Sequence, residues 1–193
     1  MNEQRLSKKT KRESFLIEAV DLMRLAIIFL VLVYTIPAFV LRPETVSGRS
    51  MMPTLQDGDK GMINVFASLA FGLNRFDVVA VVEPESGEQW VKRVIGLPGE
   101  RVKYQDGVLY INGEVMDEPF LNEEFITSSG YTMQTFSRDV AEVTLADNEY
   151  FLVGDNRQES YDSRARGPFH RSDIIGKHFY GFWPSIKVVL NDD

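Results

Sequence analysis

An unbroken apolar run separates a short polar N-terminal segment from a long region of mixed polarity. Residues 25–41 contain no charged side chain and lie between Arg24 and Arg42. This length is at the short end of the range for a spanning helix, and the run lengthens if the Arg24 side chain reaches the membrane surface. We therefore predict a basic segment at 1–21, a single transmembrane anchor at 22–42 and a third region at 43–193.

Two other interpretations of the apolar run are weaker. A buried core helix would show an apolar stripe along one face, and this run is apolar throughout. A cleavable signal peptide usually has a shorter apolar part followed by small residues at A-x-A spacing, whereas this run ends in Phe39-Val40-Leu41-Arg42-Pro43. A retained anchor is therefore the better interpretation.

After Leu55 the apolar pattern becomes typical of β-strands. Short segments rich in β-branched and aromatic residues are separated by Gly, Pro, Asn and Asp, and they lie at 77–82, 89–95, 108–111 and 149–153. Asn112-Gly113 lies between Leu109-Tyr110-Ile111 and Glu114-Val115-Met116, which is a strong signal for a two-residue hairpin turn. The pattern predicts a mainly β, antiparallel domain with a small β lobe inserted at about 107–149, and no segment beyond the anchor has a convincing helical period.

One apolar segment, Val65–Leu73, fits this arrangement poorly. It is either part of the core or a loop that touches the bilayer, and the sequence alone leaves both open.

Charge is distributed unevenly along the chain. Residues 1–42 contain seven Lys/Arg and four Asp/Glu, a net charge of +3, and residues 43–193 contain fourteen and twenty-four, a net charge of −10. Cations before the anchor predict a cytoplasmic N-terminus and a main domain on the outer face of the cell membrane. The acidic main domain argues against a nucleic-acid partner, because phosphate binding needs clustered cations.

Metal chemistry has little support in this sequence. The chain has no cysteine, and its two histidines, His170 and His178, lie in no ligand-like spacing. We expect no metal site and no cofactor.

The segment Ser47–Leu55 presents a hydroxyl on a constrained backbone. Pro53 fixes its own φ and restricts Met52, close behind Ser50. A serine hydroxyl is a weak nucleophile until a neighbouring base accepts its proton. If Ser50 is catalytic, its base must come from elsewhere in the chain.

Two adjacent cations, Lys92 and Arg93, lie within an apolar strand-like segment. Successive strand residues face opposite sides, so Lys92 shares a face with Trp90 and Val94. If both faces are covered, one cation is buried, and a buried lysine can lose its proton whereas an arginine cannot. An edge strand with both cations in water remains an equal alternative at this point.

A third stretch, Gly154–Arg164, follows an apolar strand and is rich in turn-forming and charged residues. Ser160, Asp162 and Arg164 alternate along it, so an extended backbone would direct all three side chains the same way. An Asp–Arg pair beside a hydroxyl can hold a supporting residue in place.

Together these segments resemble the signature motifs of type I signal peptidases. The motifs are Ser50-Met51-Met52-Pro53-Thr54-Leu55, Lys92-Arg93-Val94-Ile95-Gly96-Leu97-Pro98-Gly99-Glu100, and Gly154-Asp155-Asn156 with Ser160-Tyr161-Asp162-Ser163-Arg164. All three occur in the family's order, behind an N-terminal anchor. The resemblance implies a membrane-bound serine endopeptidase that cuts signal peptides from exported preproteins after small residues of A-x-A type.

The resemblance also assigns roles to individual residues. It makes Ser50 the nucleophile, with its own backbone N–H as one oxyanion donor, and Lys92 the general base. It makes Ser160 the hydroxyl that orients the lysine, with Asp155, Asp162 and Arg164 as structural supports. Many relatives carry a serine two positions before the nucleophile as second oxyanion donor. Gly48 is found there in this chain, as in many Gram-positive members, so the second donor is unassigned.

Two other functions are compatible with parts of the pattern. A signal-peptidase-like protein that assists the assembly of surface pilins without cutting would not need the Ser50–Lys92 pair. Self-cleaving repressors of the LexA type share such a pair, but they need an N-terminal DNA-binding domain where this chain has an apolar run. An active peptidase is the leading hypothesis.

Overall fold

The computed structural model describes residues 18–35 and 40–189. The chain divides into two compact units, Met1–Val40 and Leu41–Asp193. In the first unit, residues 18–35 form helix α1, whose side chains are exposed throughout. Arg24 pairs with Asp21 on its surface at 3.3 Å. Among the described residues, no helix has both the length and the apolar character needed to cross a membrane.

The end of the predicted anchor differs from the structure. Residues 36–39 of the 22–42 segment lie outside the described residues, and from Leu41 the chain forms a strand, β1 (Leu41–Thr45), not a helix. Its backbone pairs with β2 (Lys60–Asn64), so Leu41 faces Asn64 and Thr45 faces Lys60. At Leu41 and Arg42, which hydropathy placed at the end of a helix, the backbone therefore forms cross-strand hydrogen bonds.

The second unit is built of antiparallel strands with a few short helices, which confirms the predicted mainly β class. After β1 and β2 come the strands β3 (Val78–Val82), β4 (Gln89–Gly96), β5 (Arg101–Gln105), β6 (Val108–Ile111), β7 (Glu114–Met116), β8 (Val140–Thr144), β9 (Glu149–Val153), β10 (Phe169–His170), β11 (Ile174–Trp183) and β12 (Lys187–Val189). The four strands predicted from their β-branched and aromatic content correspond to β3, β4, β6 and β9.

Two sheets are formed by these strands. The larger has the order β1-β2-β11-β3-β4-β9-β10, with β12 paired to β11, and the smaller has the order β7-β6-β5-β8. The hairpin between β6 and β7 turns at Asn112 and Gly113, whose φ values are 55° and 89°. Positive φ at both turn residues is what a type I′ hairpin requires, and Asn-Gly supplies it at little cost.

The smaller sheet extends beyond the predicted lobe of residues 107–149. It begins at β5, where Val102 and Tyr104 are buried and Arg101 and Gln105 are exposed. Its last strand, β8, ends at Thr144. Strand β5 was missed because three of its five residues are the polar Arg101, Lys103 and Gln105, so it is not rich in β-branched and aromatic residues.

Three apolar clusters form the core, and strand β3 contributes to two of them. Val78 and Ala80 pack in the first cluster with Met51, while Val79 and Val81 pack in the second. Both faces of β3 are therefore covered, which explains its uninterrupted apolar sequence. The third cluster joins β4 and β9 of the larger sheet to β5 and β6 of the smaller one.

The second unit also contains four short helices, each of four or six residues, in segments where the sequence shows no helical period. These are α2 (Val65–Ala70), α3 (Glu123–Ser128), α4 (Met133–Phe136) and α5 (Ser163–Arg166). Helices of one or two turns are too short to show a hydrophobic period, and side-chain caps such as Asn64 and Asn122 define their first turns.

Helix α2 lies within the ambiguous segment Val65–Leu73. Its buried residues are the small Ala67 and Ser68. The large side chains of Phe66, Leu69 and Phe71 are 53%, 72% and 74% exposed. The segment is therefore not simply a core element, because these three large side chains face solvent while Leu73 at its end is buried in the core.

Candidate active site

Ser50 and Lys92 meet although they are far apart in sequence. The Lys92 Nζ donates a hydrogen bond to the Ser50 Oγ at 2.8 Å. Ser50 lies in a turn between β1 and β2, and Lys92 projects from β4, a strand with neighbours on both sides. This distance is suitable for proton transfer from a hydroxyl to an amine.

Lys92 is buried, with 3% of its surface exposed. Its pKa is lowered from 10.5 to about 8, first because burial disfavours the ammonium. The negative charge of Asp162 opposes this effect, and the positive charge of Arg164 adds to it. The Trp90 ring, 5.6 Å from the Lys92 Nζ, covers the amine on the face predicted from strand alternation. A substantial fraction of Lys92 is therefore neutral near pH 8.

Arg93, the next residue, is also buried at 3% exposure, but it is paired. Its guanidinium binds both carboxylate oxygens of Asp155, at 2.8 and 2.7 Å, and donates to the Phe76 carbonyl. Asp155 also accepts a hydrogen bond of 2.6 Å from Thr54. Asp155 therefore links the segment that carries Ser50 to the strand that carries Lys92.

Asp162 and Arg164 form a second buried pair, but not through an extended backbone as we expected. Asp162 is the N-cap of α5, and Arg164 lies in that helix. The Arg164 Nε and Nη2 each donate to the Asp162 carboxylate at 2.8 Å. Burial alone would raise the pKa of Asp162, but the hydrogen bonds and charge of Arg164 hold it below its usual value.

Ser160 lies close to the Ser50–Lys92 pair without a hydrogen bond to it. Its Oγ is buried and has no hydrogen-bond partner among the described residues. The Ser160 hydroxyl also contributes to the lowered pKa of Asp162. A Cβ on Gly154 would collide with the Ser160 hydroxyl and the Ser50 carbonyl, so Gly154 allows these groups to approach each other.

The surroundings of the Ser50 amide bear on the oxyanion site. Within the described part of the chain, this N–H donates to no backbone carbonyl. The amide of Gly48 is occupied, because it donates to Asp57 at 2.8 Å. The Ser50 N–H is thus available as a donor, and the second donor remains unassigned.

Comparison with known proteins shows which family this chain resembles. The family model for signal peptidase, peptidase S26, matches residues 19–183. Signal peptidase IB of Staphylococcus aureus is 36% identical over 177 residues, which cover 88% of this chain and 92% of the relative. Signal peptidase I U of Bacillus subtilis is 34% identical over 187 residues, covering 95% and 96%.

The chain belongs to the signal peptidase family, peptidase S26. This confirms the resemblance based on the three motifs, and with it the prediction of an enzyme of the signal peptidase I type. A solved signal peptidase I from Enterococcus faecalis is 32% identical to this chain with a TM-score of 0.46, covering 54% of this chain and 95% of that one.

Within this member of the family, two further residues support the site and were missed by sequence reasoning. Asn156 donates its backbone N–H to the Ser50 carbonyl at 3.0 Å and its side-chain amide to the Arg49 carbonyl at 3.2 Å. Arg157 is bound to Glu118 at 2.6 Å and to the Gly154 carbonyl at 3.0 Å. Both follow Asp155 directly, and their position in that motif was the only signal that could have found them.

Arg157 also connects the smaller sheet to the loop 154–164. Its Nη1 donates to the Tyr104 hydroxyl on β5 and to the Ser137 hydroxyl before β8. Burial would lower the pKa of Arg157, but the Glu118 charge raises it above its usual value. The smaller sheet therefore helps to position the loop that approaches Ser50 and Lys92.

Proposed function

We propose that this protein is a membrane-anchored serine endopeptidase that removes signal peptides from exported preproteins after small residues. Membership of the signal peptidase family supports the reaction class. The observation that carries the mechanism is the 2.8 Å hydrogen bond between Ser50 and a buried Lys92 whose pKa is lowered. Ser50 acts as nucleophile and Lys92 as general base.

The reaction proceeds in two proton-coupled steps. Neutral Lys92 takes the Ser50 proton as the Oγ attacks the scissile carbonyl, and then gives that proton to the leaving amine. The Ser50 ester that remains is hydrolysed by water, which Lys92 activates in the same way. The Ser50 N–H stabilises the oxyanion formed in each step. Ser160 orients Lys92, and Asp155, Asp162 and Arg164 hold the surrounding backbone.

The membrane arrangement forms part of the proposal. The uncharged run at 25–41 and the charge difference between its two sides support a single anchor with a cytoplasmic N-terminus. The exposed Phe66, Leu69 and Phe71 of the Val65–Leu73 segment support contact between the outer domain and the bilayer. The pilin-assembly alternative has less support, since a protein that only binds has no need of a buried lysine against a serine.

The test is cleavage of a preprotein panel by the purified full chain and by its Ser50→Ala variant. We expect wild-type protein to release mature proteins by cutting after A-x-A, and Ser50→Ala to release none while still folded. Serine replacement at an exposed position, Ser172→Ala, serves as the control. Equal cleavage by Ser50→Ala, or none by the wild type, would contradict the proposed function.

A further inference from the structure

A cavity of about 470 Å³ opens directly beside the nucleophile. Arg49, which precedes Ser50, forms one wall, and Asn156, Gln158 and Glu159 form another. Because Asn156 binds the carbonyls of both Arg49 and Ser50, this wall is fixed to the backbone of the nucleophile. A substrate held at the Ser50 Oγ must therefore pass close to the cavity.

The far side of the cavity comes from the segment between β7 and β8. Phe125 and Phe136 meet edge-on with ring centroids 6.4 Å apart, and Tyr131 packs on Phe136 at 6.1 Å. Phe136 is buried, while Tyr131 keeps 37% of its surface exposed. The Gln158 amide donates to the Thr135 and Phe136 carbonyls at 3.1 and 2.9 Å. The aromatic floor is therefore attached to the loop near Ser50.

The rim of the cavity is held by a weak contact. Arg49 and Glu159 form an ion pair of 3.2 Å across it, and their side chains are 61% and 47% exposed. Exposed ion pairs contribute little to stability, so a bound chain can separate this pair at small cost. The cavity volume lies within the range of sites that hold small ligands or a few residues.

We propose that this cavity binds the segment of the preprotein that follows the scissile bond, and that it favours a large or aromatic side chain there. This inference rests on the proposed function. In that function the residues one and three places before the bond are small, and a cavity of this size with an aromatic floor is a poor match for an alanine methyl group. The residues after the bond belong to the mature protein and have no such restriction.

The favoured contact is between a substrate side chain and the exposed part of Tyr131. An aromatic substrate residue would pack on the existing ring cluster, in which edge-to-face pairs are favourable. Serine hydroxyls of Ser128 and Ser129 at the wall can bind the substrate backbone. We expect a preference for Phe over Ala of roughly two- to tenfold at one of the first three positions after the bond.

The experiment uses the full chain in detergent and pairs of fluorogenic peptides. Each pair keeps one A-x-A segment and differs by Phe or Ala at one of the first three positions after the bond. In kcat/KM, wild type should prefer Phe at one position, and Tyr131→Ala should lose that preference. Ser129→Trp, which fills the cavity, should lose it too. Tyr110→Ala, on β6 and outside the cavity, should keep it.

A binding measurement separates this inference from the proposed function. The mature-side product peptide, labelled for anisotropy, should bind the Ser50→Ala protein, and its affinity should fall roughly two- to tenfold when Tyr131→Ala is added. An unchanged Phe preference in Tyr131→Ala and Ser129→Trp would overturn the inference, as would an effect confined to positions before the bond. If wild type cut nothing, the proposed function would fail, and the binding result would still decide whether the cavity holds this peptide.

Discussion

Two neighbouring cations on strand β4 show two outcomes of burying a positive charge. Lys92 and Arg93 are equally buried, at 3% exposure each. Two of the three Arg93 nitrogens donate to the Asp155 carboxylate, and the third donates to the Phe76 carbonyl. Among the described residues, Lys92 has the Ser50 hydroxyl as its one hydrogen-bond partner, and the Trp90 ring lies nearby.

The difference explains why one cation is suited to chemistry and the other to structure. A buried charge with a hydrogen-bonded counter-ion keeps its charge and stabilises the packing around it. A buried amine without a carboxylate partner favours the neutral form, which is the form a general base needs. The alternating faces of β4 direct the two side chains to these different surroundings.

The largest expected effect is on activity when Lys92 is replaced. Lys92→Met should lower kcat/KM for an A-x-A preprotein by at least about 10³-fold, because the serine loses its base. The free energy of unfolding at pH 7 should be unchanged or higher, because an unpaired buried amine is removed. Peptide cleavage and denaturant unfolding measure the two quantities, with Lys103→Met on β5 as control. A clear loss of stability would show that Lys92 is ion-paired.

Replacing Arg93 should lower the stability of the protein, which replacing Lys92 should not. Arg93→Met leaves the Asp155 carboxylate buried without its counter-ion, and we expect a loss of about 3–5 kcal/mol in the free energy of unfolding. The matched control is Arg101→Met, whose pair with Glu142 is 49% and 42% exposed. That variant should lose less than about 1 kcal/mol. Similar losses in the two variants would remove the distinction drawn between buried and exposed pairs.

The smallest expected effect is the pH dependence of activity and stability, which tests whether the pKa of buried Lys92 is lowered. With the Lys92 pKa lowered to about 8, the rising limb of kcat/KM should lie near pH 8 and not near ~10.4, the usual lysine value. The folded protein loses this proton at lower pH than the unfolded chain does. Stability relative to Lys92→Met should therefore be lowest below pH 8 and should rise between pH 8 and ~10.4. A rising limb of kcat/KM near pH ~10.4 would indicate that Lys92 is exposed to solvent.

Much of the candidate site was predictable because its residues lie in short motifs. Ser50, Lys92 and the Asp162–Arg164 pair were all selected from sequence, and the structure brings the serine and lysine into contact. Asn156 was missed because its partners, the Ser50 and Arg49 carbonyls, are backbone groups that no sequence pattern marks. Arg157 was missed because its side-chain partners, among them Glu118 and Tyr104, come from a distant part of the chain. The role of Ser160 stays a prediction, and the second oxyanion donor stays unassigned.

The fold was predictable where neighbouring residues determine the structure. It was not predictable where a strand pairs with strands far away in the sequence. The Asn112-Gly113 hairpin follows from backbone preferences of two residues. Strand β11, in contrast, pairs with β2, β3 and β12, and its register shifts and mixed polarity hide it from any alternation rule. Helix α2 buries its small residues and exposes its large ones, which no apolar pattern would indicate.

The sequence by itself determined the family, the β class, the charge difference around the apolar run and the candidates for the reactive side chains, because all of these depend on residue type and short spacing. Only the tertiary structure decided that β4 is an inner strand, which buries both cations. It also decided that Asp155 neutralises Arg93 while Lys92 meets Ser50. The ionisation of a lysine depends on how far it is shielded from solvent and on the charges around it. For Lys92, segments that are distant in the sequence provide both the shielding and the charges.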